Sequence, residues 1–351
     1  MKIIDLRPAG ERMIGGRRTD ADGGIAGRVL GGLADALTAR RVAGRAAPPH
    51  DTLVVSVGNL RVGGTGKTPV VAALARDLAA RNLSGCVVTR GYGSALPGPV
   101  TVDPDLDGAG DEARLLAGLL GGMTWTVIQA RDRRRGVAAA LAGRPAPRVI
   151  ILEDAHQTAR VGRHLDILIL DRWRLGADGV RPVTGAVVPL GAYRETAAGA
   201  RRAGVWLLEA EHPPIDPRVA GFFRRDGLRE VGRGPLPADA RVGLVCGLAR
   251  PERFESTAAR LLDRPPALSV RCADHCRYDG DVLDRALAAG RQAGVSAWLT
   301  TAKDWVKLQS RWPTGQRVAV VAQDVVWTGA KALPDLVEER LGMLAGGDAA
   351  I

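Results

Sequence analysis

Along most of the chain, short apolar runs alternate with longer stretches whose apolar residues recur at helical spacing. "DTLVVSVGNL" is apolar and β-branched, as a buried strand is, and "TPVVAALARDLAARN" after its glycines reads as a helix ended by Asn82. "GCVVTRGYG" is a second strand running into a glycine turn, and "GDEARLLAGLL" opens as a helix with acids in its first turn. "TWTVIQA", a helix through "RDRRRGVAAALAG", and the strands "PRVIILED" and "LDILILD" complete the series. Buried strands alternating with amphipathic helices predict an α/β fold, a parallel sheet covered on both faces.

After about residue 185 the pattern restarts with "AGVWLLEA", breaks at "EHPPIDP" and passes through the loop-like "GRGPLPADA". A second strand and helix series then runs through "RVGLVCGLARPERFESTAARLL", "ALSVRCADH", "DRALAAGRQAG", "SAWLTTAKDWVKL" and "RVAVVAQDVVW". The expected organisation is an N-terminal segment over 1–45, a larger α/β domain over 46–235, a smaller α/β domain over 236–345 and a tail over 346–351. No internal repeat is found.

The start, MKIIDLRPAGER, lacks the apolar core and cleavage site of a signal peptide, and no run reaches the length of a membrane span. In "GGIAGRVLGGLADALTARRVAGR", Ile25, Val29, Leu30, Leu33 and Leu37 fall at helical spacing with Arg28, Arg40, Arg41 and Arg45 among or after them. Such a stripe suits a helix covering the protein's own core, or one lying on a membrane surface.

Charge narrows the partners. Lys and Arg outnumber Asp and Glu by 49 to 38, a formal net charge of +11, so the surface attracts anions. No zinc-finger spacing, aromatic RNA-binding motif or unbroken basic tract is present, and nucleic acid is not the expected partner. Four cysteines, Cys86, Cys246, Cys272 and Cys276, are too few for a disulfide scaffold and fit a reducing cytoplasm.

The chemistry centres on "SVGNLRVGGTGKTPVV". The P-loop pattern is Gly, four residues, Gly-Lys-Thr/Ser; here Gly66-Lys67-Thr68 is intact, Arg61 takes the first glycine's place, and Gly63 and Gly64 restore flexibility. Gly63, Gly64, Thr65, Gly66, Lys67 and Thr68 are the expected nucleotide-binding residues: backbone amides and a helix N-terminus face phosphate oxygens, and Lys67 adds a compact charge. Thr68 offers a hydroxyl to Mg²⁺, and Glu153-Asp154, ending a strand, are the favoured acidic metal ligands, with Asp171 a weaker one. By itself Asp111 reads as a helix N-cap, and Cys272, His275 and Cys276 as an incomplete zinc set.

In this order the motifs resemble the tetraacyldisaccharide 4'-kinases, which phosphorylate a lipid A precursor. The loop matches the family's variant with its missing first glycine; "VVTRGYG", "AGDEARLLA", "ARDRRRGVAAAL", "VIILEDAHQ", "VVPLGAYRET", "GLARPERF", "ADHCRYDGDVL" and "TAKDWVKL" resemble its further motifs, spanning about residues 54 to 308. The resemblance implies a P-loop domain with a second α/β domain and ATP with Mg²⁺ as cofactors. Asp111, paired with His275 across a cleft, would deprotonate or orient the sugar 4'-hydroxyl, and Arg194 would stabilise charge in the transfer. It also implies an acylated disaccharide phosphate as substrate and a peripheral position on the anionic cytoplasmic face of the inner membrane, which favours membrane contact for the N-terminal stripe.

The departures are specific. The family's Asp-Asp-Gly is Glu153-Asp154-Ala155, its motif histidine is Thr158 with His156 displaced, and Leu-Arg-Glu-Pro has become Tyr193-Arg194-Glu195-Thr196. Ala155 is a problem if that position needs positive φ. The other readings of the loop are a membrane-associated partition ATPase, although Val62 replaces that class's signature lysine, and a homologue without competent chemistry.

Overall fold

The computed structural model describes residues 1–8, 24–63, 66–231 and 236–346, and divides into two compact units. Met1–Arg17 with Arg225–Asp324 form the smaller, and Arg18–Arg224 with Val325–Ile351 the larger.

The chain opens with β1 (Lys2–Asp5) in the smaller unit and continues in the larger with helix α1 (Gly24–Ala43), β2 (Leu53–Asn59), α2 (Lys67–Ala80) and β3 (Gly85–Thr89). Next come β4 (Val100–Thr101), α3 (Asp111–Leu120), β5 (Trp125–Gln129), α4 (Arg133–Leu141), β6 (Val149–Glu153) and β7 (Leu165–Leu170). A small hairpin, β8 (Trp173–Gly176) with β9 (Gly179–Pro182), precedes β10 (Val205–Glu209) and the long β11 (Val219–Val231). The hairpin buries Val180 and packs Trp173 against a core of the larger unit, but its other residues are exposed or half-buried and break any apolar alternation, which is why the hydrophobic reading passes over it.

In the larger unit the sheet order is β11-β10-β7-β2-β6-β3-β5-β4, parallel from β10 to β5 with β4 antiparallel at the edge. Successive residues of β2 face opposite sides. Leu53, Val55 and Val57 join a core with Val70, Leu74 and Leu78 of α2, while Val54 joins another with Val137 and Ala140 of α4.

The smaller unit holds β12 (Val242–Cys246), α5 (Pro251–Leu262), β13 (Leu268–Arg271), α6 (Gly280–Gln292), β14 (Ala297–Thr301), α7 (Ala302–Leu308) and most of β15 (Arg317–Thr328), in the parallel order β1-β13-β12-β14-β15. Leu283, Ala286 and Leu287 of α6 pack on one face of this sheet, Phe254 and Ala258 of α5 on the other.

The units are discontinuous in sequence, whereas the reading above has one junction near 235. The last helix, α8 (Leu333–Ala345), buries Leu333, Val337 and Leu341 at helical spacing in the core of the larger unit, so it is separated from the 236–345 stretch that precedes it.

Gly58 near the end of β2 lets the turn after β6 come close: a Cβ there would stand 2.6 Å from His156 Cβ and 2.8 Å from its backbone nitrogen. Gly58→Ala should therefore lower unfolding free energy by about 1–3 kcal/mol. Gly32→Ala on α1, which meets nothing within 4 Å, should be neutral or stabilising by up to roughly 1 kcal/mol. Urea titration of the two variants checks the contrast.

Candidate functional site

A fully buried β2 delivers Asn59 to the start of the glycine loop. Its Nδ2 donates to Arg61 O at 2.8 Å, its Oδ1 accepts from Lys67 Nζ at 3.3 Å, and its carbonyl accepts from Gln157 Nε2 at 2.9 Å. Asn59 thus ties both ends of the loop to the turn after β6. The sequence reading did not single it out, although a polar residue closing an apolar strand eight positions before Lys67 is the signal.

Gly63 and Gly66 have φ of 97° and 77°, the left-handed region that glycine enters without strain. A Cβ at Gly66 would also stand 2.3 Å from the guanidinium of Arg224, which is ion-paired with Glu209. Gly64 and Thr65 lie outside the described residues. Arg61, in the missing glycine's place, is 3.1 Å from Asp171 and stacks over the Tyr193 ring at 5.5 Å, and Tyr193 OH donates to the same Asp171 oxygen at 3.0 Å. Asp171 is therefore engaged in bracing the loop.

Lys67 begins α2, with Thr68 half-buried beside it. Lys67 Nζ lies 3.4 Å from Asp154, whose two oxygens accept from the two terminal nitrogens of Arg194 at 2.8 Å each. Burial alone would raise the Asp154 pKa, but the Arg194 hydrogen bonds, with the charges of Lys67, Arg194 and Arg133, bring it down to about 2. Glu153 is the opposite case: burial, then the nearby charges of Glu112 and Asp154, push it up to about 7 against Lys67 and Arg133. Its Oε2 accepts from Thr89 at 2.9 Å; Oε1 is buried without a hydrogen-bond partner among the described residues.

Arg133, buried on α4, donates to the carbonyls of Glu153 at 2.7 Å and Asp154 at 3.0 Å, fixing the turn. The positive φ of that turn, 51°, falls on Asp154; Ala155 has none and is fully buried. The missing glycine is thus no obstacle, because the strained position is one residue earlier. The displaced His156 is buried, with Nδ1 3.2 Å from Asp166 and Nε2 3.0 Å from Gly199 O, as part of the scaffold behind the turn.

Arg194 reaches the site from a strap laid along the loop: its N–H donates to Leu60 O at 2.7 Å, and Val62 N–H donates to Ala192 O at 2.8 Å. Thr196, where the family has proline, connects the strap to α1. Its N–H donates to Asp35 Oδ1 at 2.9 Å and its hydroxyl to Asp35 Oδ2, while a Cβ on Gly31 would lie 2.7 Å from its methyl group. The buried residues of α1 are Gly27, Gly31 and Val42, whereas Ile25, Val29, Leu33 and Leu37 are 76, 57, 55 and 63% exposed. The helix docks by its small face, with Leu30 and Ala34 half-buried against a core of the larger unit, and shows Ile25, Val29, Leu33 and Leu37 outward. Among the described residues, no helix is long and apolar enough to cross a membrane.

Asp111 is the first residue of α3, not its cap; Gly110 holds that position. Gly110 N–H donates to Gln129 Oε1 at 2.7 Å, and Gly91, at φ 68°, leaves the space that the Gln129 side chain fills. His275 belongs to the smaller unit, at φ 58°, with Nε2 3.4 Å from Lys303 Nζ. Lys303 also lies 3.3 Å from Asp274. Among the described residues there is no group of three or more His, Cys, Asp or Glu arranged to hold a metal, so the zinc alternative at Cys272, His275 and Cys276 gains no support.

A buried parallel strand, a glycine loop closed by Lys67 at a helix start, and acids ending the adjacent strand define the P-loop class of α/β proteins. The chain belongs to the tetraacyldisaccharide-1-P 4'-kinase family, whose profile matches residues 28–342. It is 36% identical over 297 residues to the tetraacyldisaccharide 4'-kinase of Phenylobacterium zucineum, covering 79% of this chain and 82% of that one. With that of Maricaulis maris it shares 32% over 358 residues, covering 97% and 99%. The fold is similar to the crystal structure of LpxK from Aquifex aeolicus in complex with ATP, with a TM-score of 0.66 at 24% identity, covering 90% of this chain and 96% of that one. Membership in this family excludes the partition ATPase.

Folding raises the Glu153 pKa from its ordinary 4.5 to about 7, so the folded state holds the proton longer than the unfolded state does. This carboxyl therefore removes stability as pH climbs from about 4.5 to about 7, and the loss is complete above that window. Glu153→Gln should raise the ligand-free melting temperature relative to the parent protein, by a margin that widens between pH 5 and pH 7.5. Differential scanning calorimetry at the two pH values tests this.

Proposed function

We propose that this chain transfers the γ-phosphoryl group of ATP to the 4'-hydroxyl of a tetraacyldisaccharide 1-phosphate, giving the 4'-phosphorylated lipid and ADP. The observation that carries the reading is the Lys67–Asp154–Arg194 ion-pair chain beside the glycine loop, in a member of this family. Two cations share one carboxylate there, and both stand within a side-chain movement of a phosphate held by the loop.

In the proposed reaction Gly63 to Thr68 cradle the triphosphate, and Lys67 and Arg194 face the charge that develops on the transferring group. Asp111 accepts the proton of the sugar hydroxyl, whose oxygen bonds to the γ-phosphorus as the bond to the β-phosphate oxygen breaks. His275 is proposed to act with Asp111 as one functional unit. Mg²⁺ is proposed at the acidic end of β6, where Glu153 Oε1 has no hydrogen-bond partner among the described residues and its carboxyl is pushed up to about 7, with Asp154 and the Thr68 hydroxyl as the further oxygen donors. When bound, it would neutralise phosphate charge.

The lipid substrate gives α1 its role. Its exposed stripe of Ile25, Val29, Leu33 and Leu37, flanked by Arg28, Arg40 and Arg41 on a chain of net charge +11, is proposed to rest on the anionic cytoplasmic face of the inner membrane. Leu33→Asp with Leu37→Asp should weaken cosedimentation with phosphatidylglycerol vesicles by roughly tenfold or more, since each leucine returns apolar area to water. Added salt should weaken the parent protein's binding as well. Undiminished binding by the double variant would remove the proposed membrane face.

Catalysis is tested by ³²P transfer from ATP to a tetraacyldisaccharide 1-phosphate. Asp111→Ala and His275→Ala should each lower turnover by about 10²–10⁴-fold, the range for loss of a general base. The double variant should be little worse than the worse single one, because groups acting as a unit are not additive. ATP affinity, measured by calorimetry on the same preparations, should persist in all three. Multiplicative losses would separate the pair, and ATP hydrolysis without lipid labelling by the parent protein would overturn the assignment.

A further inference from the structure

Gln129 ends β5 beside the buried Trp125, Val127 and Ile128, and is itself fully buried. Its amide is used at both ends. Oε1 accepts from Gly110 N–H at 2.7 Å, and Nε2 donates to Ser94 Oγ and to Leu96 O at 2.8 Å each. With a donor on the oxygen and an acceptor for each nitrogen hydrogen, the group has one orientation. Ser94 Oγ passes the contact on, donating to Gly108 O at 2.6 Å, and Ala95 N–H donates to the same carbonyl at 3.1 Å. Glycines make the room: a Cβ on Gly91 would stand 2.1 Å from Gln129 Cδ, one on Gly98 2.1 Å from Gln129 O, and one on Gly110 2.9 Å from Gly91 Cα. One buried side chain thus joins the loop after β3 to the segment that leads into α3.

We propose that Gln129 is a positioning residue for the phosphoryl transfer: its amide holds the 91–96 loop and Gly110 in register, and so sets where α3 begins and where Asp111 stands. The inference rests on the proposed role of Asp111 as the group that takes the sugar proton. Gly110 caps α3 in extended backbone, without a side chain to bond the first turn, and its carbonyl accepts the Arg114 N–H at 3.0 Å. Its own N–H is buried and held by Gln129. The peptide immediately before Asp111 is therefore gripped from β5, not by the helix it starts. Losing that grip lets the first residue of α3 shift, and a displacement of about 1 Å at a reacting group can cost roughly 10²-fold in rate.

Packing alone would not need an amide here. Methionine has nearly the shape of glutamine, but Gln129→Met leaves the buried Gly110 N–H without its acceptor and the Leu96 carbonyl without its donor. Gln129→Glu separates shape from bonding in one variant. While its carboxyl is protonated it donates through the O–H and accepts through the other oxygen, as the amide does. Once ionised it is acceptor-only, and it then faces the Leu96 carbonyl with a buried charge. The clamp should therefore work in this variant at low pH and fail as pH rises.

The test is ³²P transfer from ATP to a tetraacyldisaccharide 1-phosphate by the full-length protein, with circular dichroism and ATP affinity measured on the same preparations. Gln129→Met should lower kcat on the order of tenfold to a hundredfold while ATP affinity stays at the parent value, since Gln129 is not part of the phosphate loop. Turnover of Gln129→Glu relative to the parent should be near one at about pH 6 and fall several-fold by about pH 8.5, a dependence that Gln129→Met should lack. Added to Asp111→Ala, Gln129→Met should cost little further turnover, because both act on one group. If Gln129→Met does not fold, the pH dependence of Gln129→Glu decides. Parental turnover in folded Gln129→Met, a flat pH ratio for Gln129→Glu, or a loss as large on the Asp111→Ala background as on the parent would overturn the inference and leave the kinase reading intact. Full turnover by Asp111→Ala would instead overturn Asp111 as the base, and with it the role given to Gln129.

Discussion

Asp154 is the carboxylate on which the rest of the site depends. It sits at the end of β6 in a left-handed backbone conformation, with Arg194 bidentate on its two oxygens and Lys67 at 3.4 Å. A non-glycine residue at positive φ costs energy that the surroundings must offset. Here Arg133, donating to both carbonyls of the turn, and Gln157, donating to Asn59, hold the backbone from two sides. The carboxylate in turn keeps two long cationic side chains in register at the mouth of the glycine loop. Without Asp154 those cations would repel each other and lose their preorganisation, which is most of what a phosphoryl-transfer site has to supply.

Glu153 one residue earlier carries the complementary strain. Its carboxyl is buried, beside Asp154 and Glu112, with one oxygen unpartnered among the described residues. A core residue of this kind would be replaced by an apolar one at no loss to folding. Its presence marks a place where stability is given up for binding, the expected pattern at functional sites. The proposed cation and triphosphate resolve both problems together: the cation discharges Glu153, and the phosphates answer Lys67 and Arg194.

Much of this was legible in the sequence. The central strands of the larger sheet, β2, β3, β5, β6, β7 and β10, the helix after the loop and Lys67 at its start follow from apolar periodicity and a short motif, because local sequence determines them, whereas its edge strands β4 and β11 were not read. The details that depend on non-local contacts did not follow. Whether the position of Ala155 needs positive φ was left open by the sequence, and the positive φ falls on Asp154 instead, since which residue of a turn takes the strain is decided by Arg133 and by the packing of Ala155. Asn59 looked like the end of a strand because its partners, Arg61, Lys67 and Gln157, converge only in the folded chain. The assignment of α8 to the larger unit rests on a stripe, Leu333, Val337 and Leu341, that names no partner by itself.

Helix α1 shows the same limit from the other side. Its sequence carries two stripes: the leucine and isoleucine positions that attract the eye, and glycines at 27 and 31 one turn apart. Area alone would bury the leucines. The fold buries the glycines, half-buries Leu30 and leaves Leu33, Leu37 and Ile25 outside, because a close approach to Thr196 has no room for a side chain at Gly31, and because Asp35 on that face has both carboxylate oxygens taken by Thr196. The replacement of the family's proline by threonine thus has a use: it supplies a hydroxyl and an N–H that proline lacks. The cost is an apolar stripe left in water, which a monomeric soluble protein rarely keeps without a surface to place it on. Thr196 is two residues from Arg194, so the segment that anchors α1 also holds one of the two cations on Asp154. In the proposed reaction, the element that meets the lipid surface and the residue that meets the phosphoryl group are therefore set by one short strap.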